Sequence, residues 1–193
     1  MIDAALRRAF DVAVAGLALL AASPFLVAAM VAIRLESAGS PIYRQRRIGR
    51  DGRPFDVVKL RTMVSGAEQM GAGLAVDEGD PRITRVGALL RRWSLDELPN
   101  LVNVLNGDMS IVGPRPTVQS QVSQYTPRQR GRLAVRPGIT GWAQINQNYD
   151  TSIDDVRRKV EYDLAYIERR SVVEDMRIMA KTLPVMIFRK GAH

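Results

Sequence analysis

The hydrophobic and polar positions divide the chain into a long apolar run, a short alternating segment and a helical remainder. Residues 12–33 read VAVAGLALLAASPFLVAAMVAI, 22 positions without a charge. As one helix rising about 1.5 Å per residue, the run is long enough for a hydrocarbon core of about 30 Å. It is too long, and too directly followed by basic sequence, for a cleaved signal peptide. Two features set it apart from a plain spanning helix. Ser23-Pro24 lies at its midpoint, where proline removes a backbone donor and bends the helix. Arg7 and Arg8 precede the run, and Arg34, Arg44, Arg46, Arg47 and Arg50 follow it. The preference of cationic flanks for the cytoplasmic face then applies to both ends. A re-entrant helix–break–helix entering and leaving one leaflet meets both demands, provided Ser23 or neighbouring protein satisfies the carbonyls that Pro24 frees.

Beyond Glu36 the pattern changes period. Residues 42–45 and 55–62 read as short strands, with Gly49-Arg50-Asp51-Gly52 as the turn between them. Alternation in the second puts Lys59 and Arg61 on one face and Val58 and Leu60 on the other. Residues 63–70 read as helical, and 71–81 as a mobile Gly- and Asp-rich loop. Thr84 starts a helix to about Trp93, and another spans about 94–105, stopped by Asn106-Gly107. Residues 109–112 are a short apolar run, 119–133 a helix interrupted near Pro127, and Trp142-Ala143-Gln144 an apolar strand. Two helices follow, 152–169 and 171–188, the second opened by a Ser171…Glu174 capping box. Its mix of apolar and basic residues suits either a membrane surface or a core-facing helix.

Composition removes several chemistries. The chain has no cysteine, and His193, its last residue, is the only histidine. Thiol nucleophiles, disulfides and histidine-based acid–base catalysis are therefore excluded. A formal charge of +8 asks for an anionic partner: nucleic acid, an anionic membrane or a phosphorylated substrate. Catalysis, if present, falls to carboxylates, with a metal to help them.

The candidate pair is Asp96-Glu97 within Ser94-Leu95-Asp96-Glu97-Leu98-Pro99-Asn100. Ser94 three residues before Glu97 is a capping-box pattern. It puts Asp96 in a first helical turn, where the dipole keeps a carboxylate ionised and also welcomes phosphate. On spacing alone the pair is either a helix cap or a site. Arg115, held between Pro114 and Pro116, is either a rigid ligand contact or a surface charge. Arg91, one helical turn before the pair, is the other leading arginine for phosphate. Lys59, Arg61 and Arg136 rank behind these two, because exposed cations also serve lipid headgroups.

These motifs, in this order over nearly the whole chain, resemble the bacterial sugar transferases, the small monotopic phosphoglycosyl transferases. The stretches that carry the likeness are the Ser23-Pro24 hydrophobic run, Lys59-Leu60-Arg61-Thr62-Met63, the SLDELPN stretch and Asn103-Val104-Leu105-Asn106-Gly107-Asp108-Met109-Ser110. Val112-Gly113-Pro114-Arg115-Pro116 and Arg136-Pro137-Gly138-Ile139-Thr140-Gly141-Trp142-Ala143-Gln144 complete it. The resemblance implies transfer of a sugar-1-phosphate from a UDP-sugar to a polyprenol phosphate such as undecaprenyl phosphate, with release of UMP. It implies that Asp96 is the nucleophile forming a covalent phosphosugar intermediate, and that Glu97, with Asp96, binds Mg²⁺. It also implies that this chain corresponds to the catalytic unit of larger members. One departure stands out: many members continue with Asn-Gly-Arg-Asn where this chain has Asn146-Gln147-Asn148-Tyr149-Asp150, so a sugar or nucleotide contact there is in doubt.

The expected fold class is α+β and mostly helical. A membrane-embedded re-entrant hairpin takes residues 1–36, and a cytoplasmic-face catalytic domain with short strands and interfacial amphipathic helices takes 37–193. The expected setting is the inner leaflet of the bacterial inner membrane, and a homodimer is compatible with it. Two other readings are a membrane-tethered nucleic-acid-binding protein and a non-catalytic scaffold. The first is disfavoured by an aromatic content of 6% without a stacking motif, and nucleic acid leaves the apolar run unexplained.

Overall fold

The computed structural model describes residues 2–70, 79–146 and 153–188. Three expectations fall outside them: most of the 71–81 loop, the departure at 147–150, and His193. The apolar run lies within α1 (Ile2–Glu36), one helix assigned continuously through Pro24. The expected interruption is thus not a break in secondary structure. Pro24 cannot donate to the carbonyl of Leu20 four residues back, but Ser23 Oγ donates to that oxygen at 2.8 Å. The serine supplies the lost bond, and the helix continues.

Strands β1 (Ile42–Ile48) and β2 (Pro54–Leu60) form an antiparallel hairpin in which Tyr43 faces Lys59 and Arg47 faces Phe55. Asp51 (φ 56°) and Gly52 (φ 76°) make its turn, as the Gly-Arg-Asp-Gly stretch predicts. Helix α2 (Arg85–Arg92) begins at Thr84, whose hydroxyl accepts from Gly87 N at 2.9 Å. The expected helix over 94–105 is instead a 3-10 turn, Leu95–Glu97, followed by α3 (Asn100–Asn106), with Gly107 in the left-handed cap at φ 91°. Strand β3 (Ser110–Val112) leads through short helices α4 (Gln119–Val122) and α5 (Pro127–Arg130) to β4 (Gly138–Thr140), its parallel partner. Trp142-Ala143-Gln144 is not a strand but opens α6 (Trp142–Asn146). Helices α7 (Ile153–Arg169) and α8 (Val172–Phe188) close the described chain, and Ser171 Oγ accepts from Glu174 N as a cap.

Two apolar clusters hold these pieces together, and α1 contributes to both. Ala15 joins Phe55, Val57, Val104, Met109, Val112, Tyr166 and Ile178. Leu26, Ala29 and Ile33 join Leu60 and Leu90. Both ends of α1 are also tied to the same body. Near its start, Arg8 donates to the carbonyls of Val104 and Leu105 at 2.6 and 2.8 Å. Asp11 accepts from Ser110 Oγ and Ile111 N, both at 2.9 Å. At its end, the Glu36 carboxylate accepts from Arg85 N and Val86 N and so caps α2. Between these anchors one side remains bare: Leu17 is 70% exposed, Leu20 73% and Leu35 83%.

Candidate active site

Two leucines orient the carboxylate pair. Leu95 and Leu98 pack against the Leu26–Ala29–Ile33 cluster on α1. In a 3-10 turn positions three apart eclipse, so burying this pair leaves Asp96 and Glu97 on other sides of the turn. The expected Ser94…Glu97 capping box is not formed. Ser94 sits in the left-handed region (φ 53°, ψ 26°), and its hydroxyl caps nothing. A non-glycine residue there costs on the order of 1–3 kcal/mol, so tertiary contacts must hold it.

Those contacts are ionic. Glu97 Oε1 accepts from Lys59 Nζ at 2.6 Å and from Arg115 Nη2 at 2.7 Å. Such charge-assisted bonds are about twice as strong as neutral ones, which explains why Glu97 turns away from the helix cap. Burial opposes ionisation of Glu97, but Arg115 and Lys59 outweigh it and hold the carboxyl at about 2. Asp96 shifts the other way. Burial, then repulsion from Glu97, raises its carboxyl above the ordinary aspartate value, with Lys59 and Arg91 pulling back. The expectation that a helix dipole keeps Asp96 ionised is therefore corrected: Asp96 precedes α3, and burial, with Glu97 beside it, makes its charge costly. Two adjacent carboxylates with pKa values pushed apart are suited to different tasks, one a fixed anion and the other a reactive one.

Arg115 is held from two sides. Gly138 N donates to Pro114 O at 2.9 Å, and Ile48 N donates to Thr117 O at 2.8 Å. The Pro114–Pro116 flank thus supplies fixed carbonyls as well as a stiff backbone. Arg91 Nε donates to Thr62 Oγ1 at 2.8 Å, and its charge is felt at Asp96. Arg91, Arg115 and Lys59 therefore converge on the carboxylate pair, Lys59 on equal terms with the two arginines that the sequence ranks above it.

Arg61 and Arg136 are directed elsewhere. Arg61 is buried and donates to the carbonyls of Ser37 and Ala38, both at 2.7 Å, fastening the end of α1 to the hairpin. The alternation that grouped it with Lys59 stops with β2 at Leu60. Arg136 Nε donates to Gly107 O at 2.7 Å, at the carbonyl end of α3, where a cation complements the helix dipole.

Sequence reasoning missed Asn100 and Asn103. Both are buried and both accept through Oδ1 from Val58 N at 3.1 Å, while Asn103 Nδ2 donates to Asp56 O at 2.8 Å. They pin α3 to the open edge of β2 beside Lys59. Two asparagines three apart inside a short helix are poor helix formers, and that was the available signal. Period-two reading of β1 sets Tyr43, Gln45 and Arg47 on one face, away from exposed Arg44 and Arg46.

Asp96 and Glu97 also fit a magnesium ion, in one specific sense. Among the described residues no group of three or more His, Cys, Asp or Glu side chains could hold a metal. Mg²⁺ takes one or two carboxylates and completes its shell with water and substrate phosphate oxygens. The pair therefore suits an ion shared with a bound diphosphate rather than a permanently caged one.

A family model described as bacterial sugar transferase matches residues 2–189. The UDP-N-acetylgalactosamine-undecaprenyl-phosphate N-acetylgalactosaminephosphotransferase of Aeromonas hydrophila is 42% identical over 195 residues, covering 100% of this chain and 46% of that protein. The UDP-glucose:undecaprenyl-phosphate glucose-1-phosphate transferase of Escherichia coli K12 is 43% identical, covering 97% of this chain and 41% of that protein. The exopolysaccharide production protein ExoY of Sinorhizobium fredii is 37% identical, with 97% and 88% covered. The chain thus spans less than half the length of the first two relatives.

Proposed function

The chain belongs to the bacterial sugar transferase family, and from that premise we propose that it transfers a sugar-1-phosphate from a UDP-sugar to a polyprenol phosphate, undecaprenyl phosphate in bacteria. The observation that carries this reading is the Asp96-Glu97 pair with Lys59, Arg91 and Arg115 converging on it. Asp96 attacks the β-phosphorus of the UDP-sugar, the bond to the bridging oxygen breaks, and UMP leaves with that oxygen. The polyprenol phosphate then attacks the same phosphorus and releases the Asp96 carboxylate. The product is a polyprenyl diphosphate-linked sugar, the starting point of a glycan such as an exopolysaccharide. A carboxylate is a competent nucleophile when no stronger one is present, and two anions can meet only if cations spread their charge. Lys59, Arg91 and Arg115 serve the phosphate oxygens, and Glu97 holds Lys59 and Arg115 in place. Asp96 and Glu97 would hold Mg²⁺ together with substrate phosphate oxygens, and the ion would supply further charge neutralisation.

This scheme has a direct kinetic signature. With UDP-sugar and Mg²⁺ but no polyprenol phosphate, the protein releases up to one equivalent of UMP and retains labelled sugar-phosphate. Steady release without a burst, or no retained label, removes the covalent intermediate. Excess EDTA stops turnover, and activity persisting in EDTA removes the metal.

We further propose that α1 is re-entrant, with both ends at the cytoplasmic face. A straight helix of 35 residues is about 50 Å long and would set its ends on opposite sides of a bilayer. Yet Arg8 and Asp11 near one end and Glu36 at the other bind the same folded body. Bare Leu17 and Leu20 between them supply the apolar surface that enters the leaflet. Exposed Leu89 on α2 and Trp93 at its end, and exposed Val173 and Met176 on α8, support an interfacial resting place for the domain. Single cysteines at positions 4 and 37 are expected to label from the same side in intact cells and inverted vesicles. Labelling from opposite sides means a crossing helix.

A further inference from the structure

Resting on that reading of the site, we propose that Arg47 is a further phosphate-binding residue, contacting the phosphate of either the nucleotide or the lipid substrate. Arg47 projects from the face of β1 that also carries Tyr43 and Gln45, and it is half-buried, whereas Arg44 and Arg46 on the opposite face are exposed. Its guanidinium is oriented by neutral oxygens: Nε donates to Gln45 Oε1 at 3.0 Å, Nη2 donates to the same oxygen, and Nη1 donates to Pro116 O at 3.4 Å. Burial, then the charge of Arg115, opposes its protonated form, while Tyr43 and Glu97 favour it, so the charges of the site reach it.

The charge balance decides what this group is for. A single oxygen of Glu97 already receives both Lys59 and Arg115. With Arg91 also directed at the Asp96-Glu97 pair, Arg47 adds a fourth cation to two carboxylates and brings none of its own. Half-burying a cation without a counter-ion is costly, and a structural role offers little in return. The bond to Pro116 is at the long limit, and the loop is already fastened to β1 by Ile48 N and Thr117 O at 2.8 Å. An incoming phosphate supplies further negative charge, and a planar guanidinium held along its Nε–Nη2 edge keeps one N–H on each terminal nitrogen for a bidentate contact. The excess cation thus makes sense as a socket awaiting an anion.

The experiment uses the full chain in detergent and the variants Arg47→Met and Arg47→Lys. Arg47→Met is expected to raise the KM of one substrate roughly tenfold or more, with kcat changed less than about threefold, as for loss of a charged hydrogen bond. A rise for the UDP-sugar assigns the contact to the nucleotide, and a rise for undecaprenyl phosphate assigns it to the lipid. Arg47→Lys is expected to recover part of the loss, and both variants to melt within a few degrees of wild type. A second arm needs no turnover: inorganic diphosphate binding, measured by calorimetry, weakens about tenfold in Arg47→Met. Unchanged KM values together with unchanged diphosphate affinity overturn the proposal, as does a fall in kcat at constant KM. If wild type binds diphosphate but turns over no UDP-sugar, the transferase reading fails, and the binding arm alone decides the role of Arg47.

Discussion

Replacing Asp96 with asparagine is expected to reduce UMP release by roughly 10⁴-fold or more while leaving the melting temperature unchanged or slightly raised. The size follows from losing the attacking atom itself, since removal of a covalent nucleophile leaves only binding and electrostatic assistance. The stability outcome follows from the sign of the pKa shift. Burial and Glu97 raise the Asp96 carboxyl, so its ionised form is penalised in the folded protein. That penalty is present at neutral pH and is relieved as pH falls through the raised value; a neutral amide removes it at every pH. The same shift places the acid limb of the pH–rate profile above the ordinary aspartate value of about 3.8. Turnover by Asp96→Asn near the wild-type rate, or an acid limb below that value, contradicts the assignment.

The second large effect is expected at a glycine. Gly87→Ala in α2 should destabilise the protein by about 3 kcal/mol and lower its melting temperature by roughly 6–12 °C for a chain of this size. In an exposed helix the same change stabilises by up to about 1 kcal/mol, because alanine is the better helix former. Here the added Cβ would lie 1.9 Å from Thr62 O, with Thr62 C and Cα at 2.6 and 2.7 Å. Backbone cannot swing aside as a side chain can, so α2 must move away from Thr62. That movement strains the bond from Thr84 N to Thr62 O and the bond from Arg91 to the Thr62 hydroxyl. Gly87→Ala is therefore also expected to raise the KM for the UDP-sugar through displacement of Arg91. A variant as stable as wild type would show that the contact between α2 and Thr62 is looser than these distances require.

Much of the site was legible because its elements are local. The hairpin turn at Asp51-Gly52, the Thr84 cap, the Gly107 stop and the Ser23 repair at Pro24 each involve residues within four positions of one another. Adjacent Asp96 and Glu97 needed no structure to be noticed. Reading failed where a local preference met a stronger distant partner. Ser94 and Glu97 match a capping box worth about 1 kcal/mol. Lys59 and Arg115 lie 38 and 18 positions from Glu97, and they compete for it with two charge-assisted bonds in a partly buried setting. The stronger contacts win, and Ser94 takes the left-handed conformation.

The arginines divide in the same way. Sequence counts them and sets some on a strand face, but every arginine carries the same charge and several carbonyls compete for it. Arg61 goes to Ser37 and Ala38, Arg136 to Gly107, Arg115 to Glu97, and Arg47 to neutral oxygens beside the site. The apolar helix, the turns, the carboxylate pair and the family are thus readable from the residues in order, because all of them rest on short-range chemistry or on ordered motifs. Packing alone settles which cations meet that pair, which carboxylate is held ionised and which one burial makes costly to charge. Ion pairing and burial depend on distances through space, and those exist only once α1, β2 and the Arg115 loop have packed around the turn.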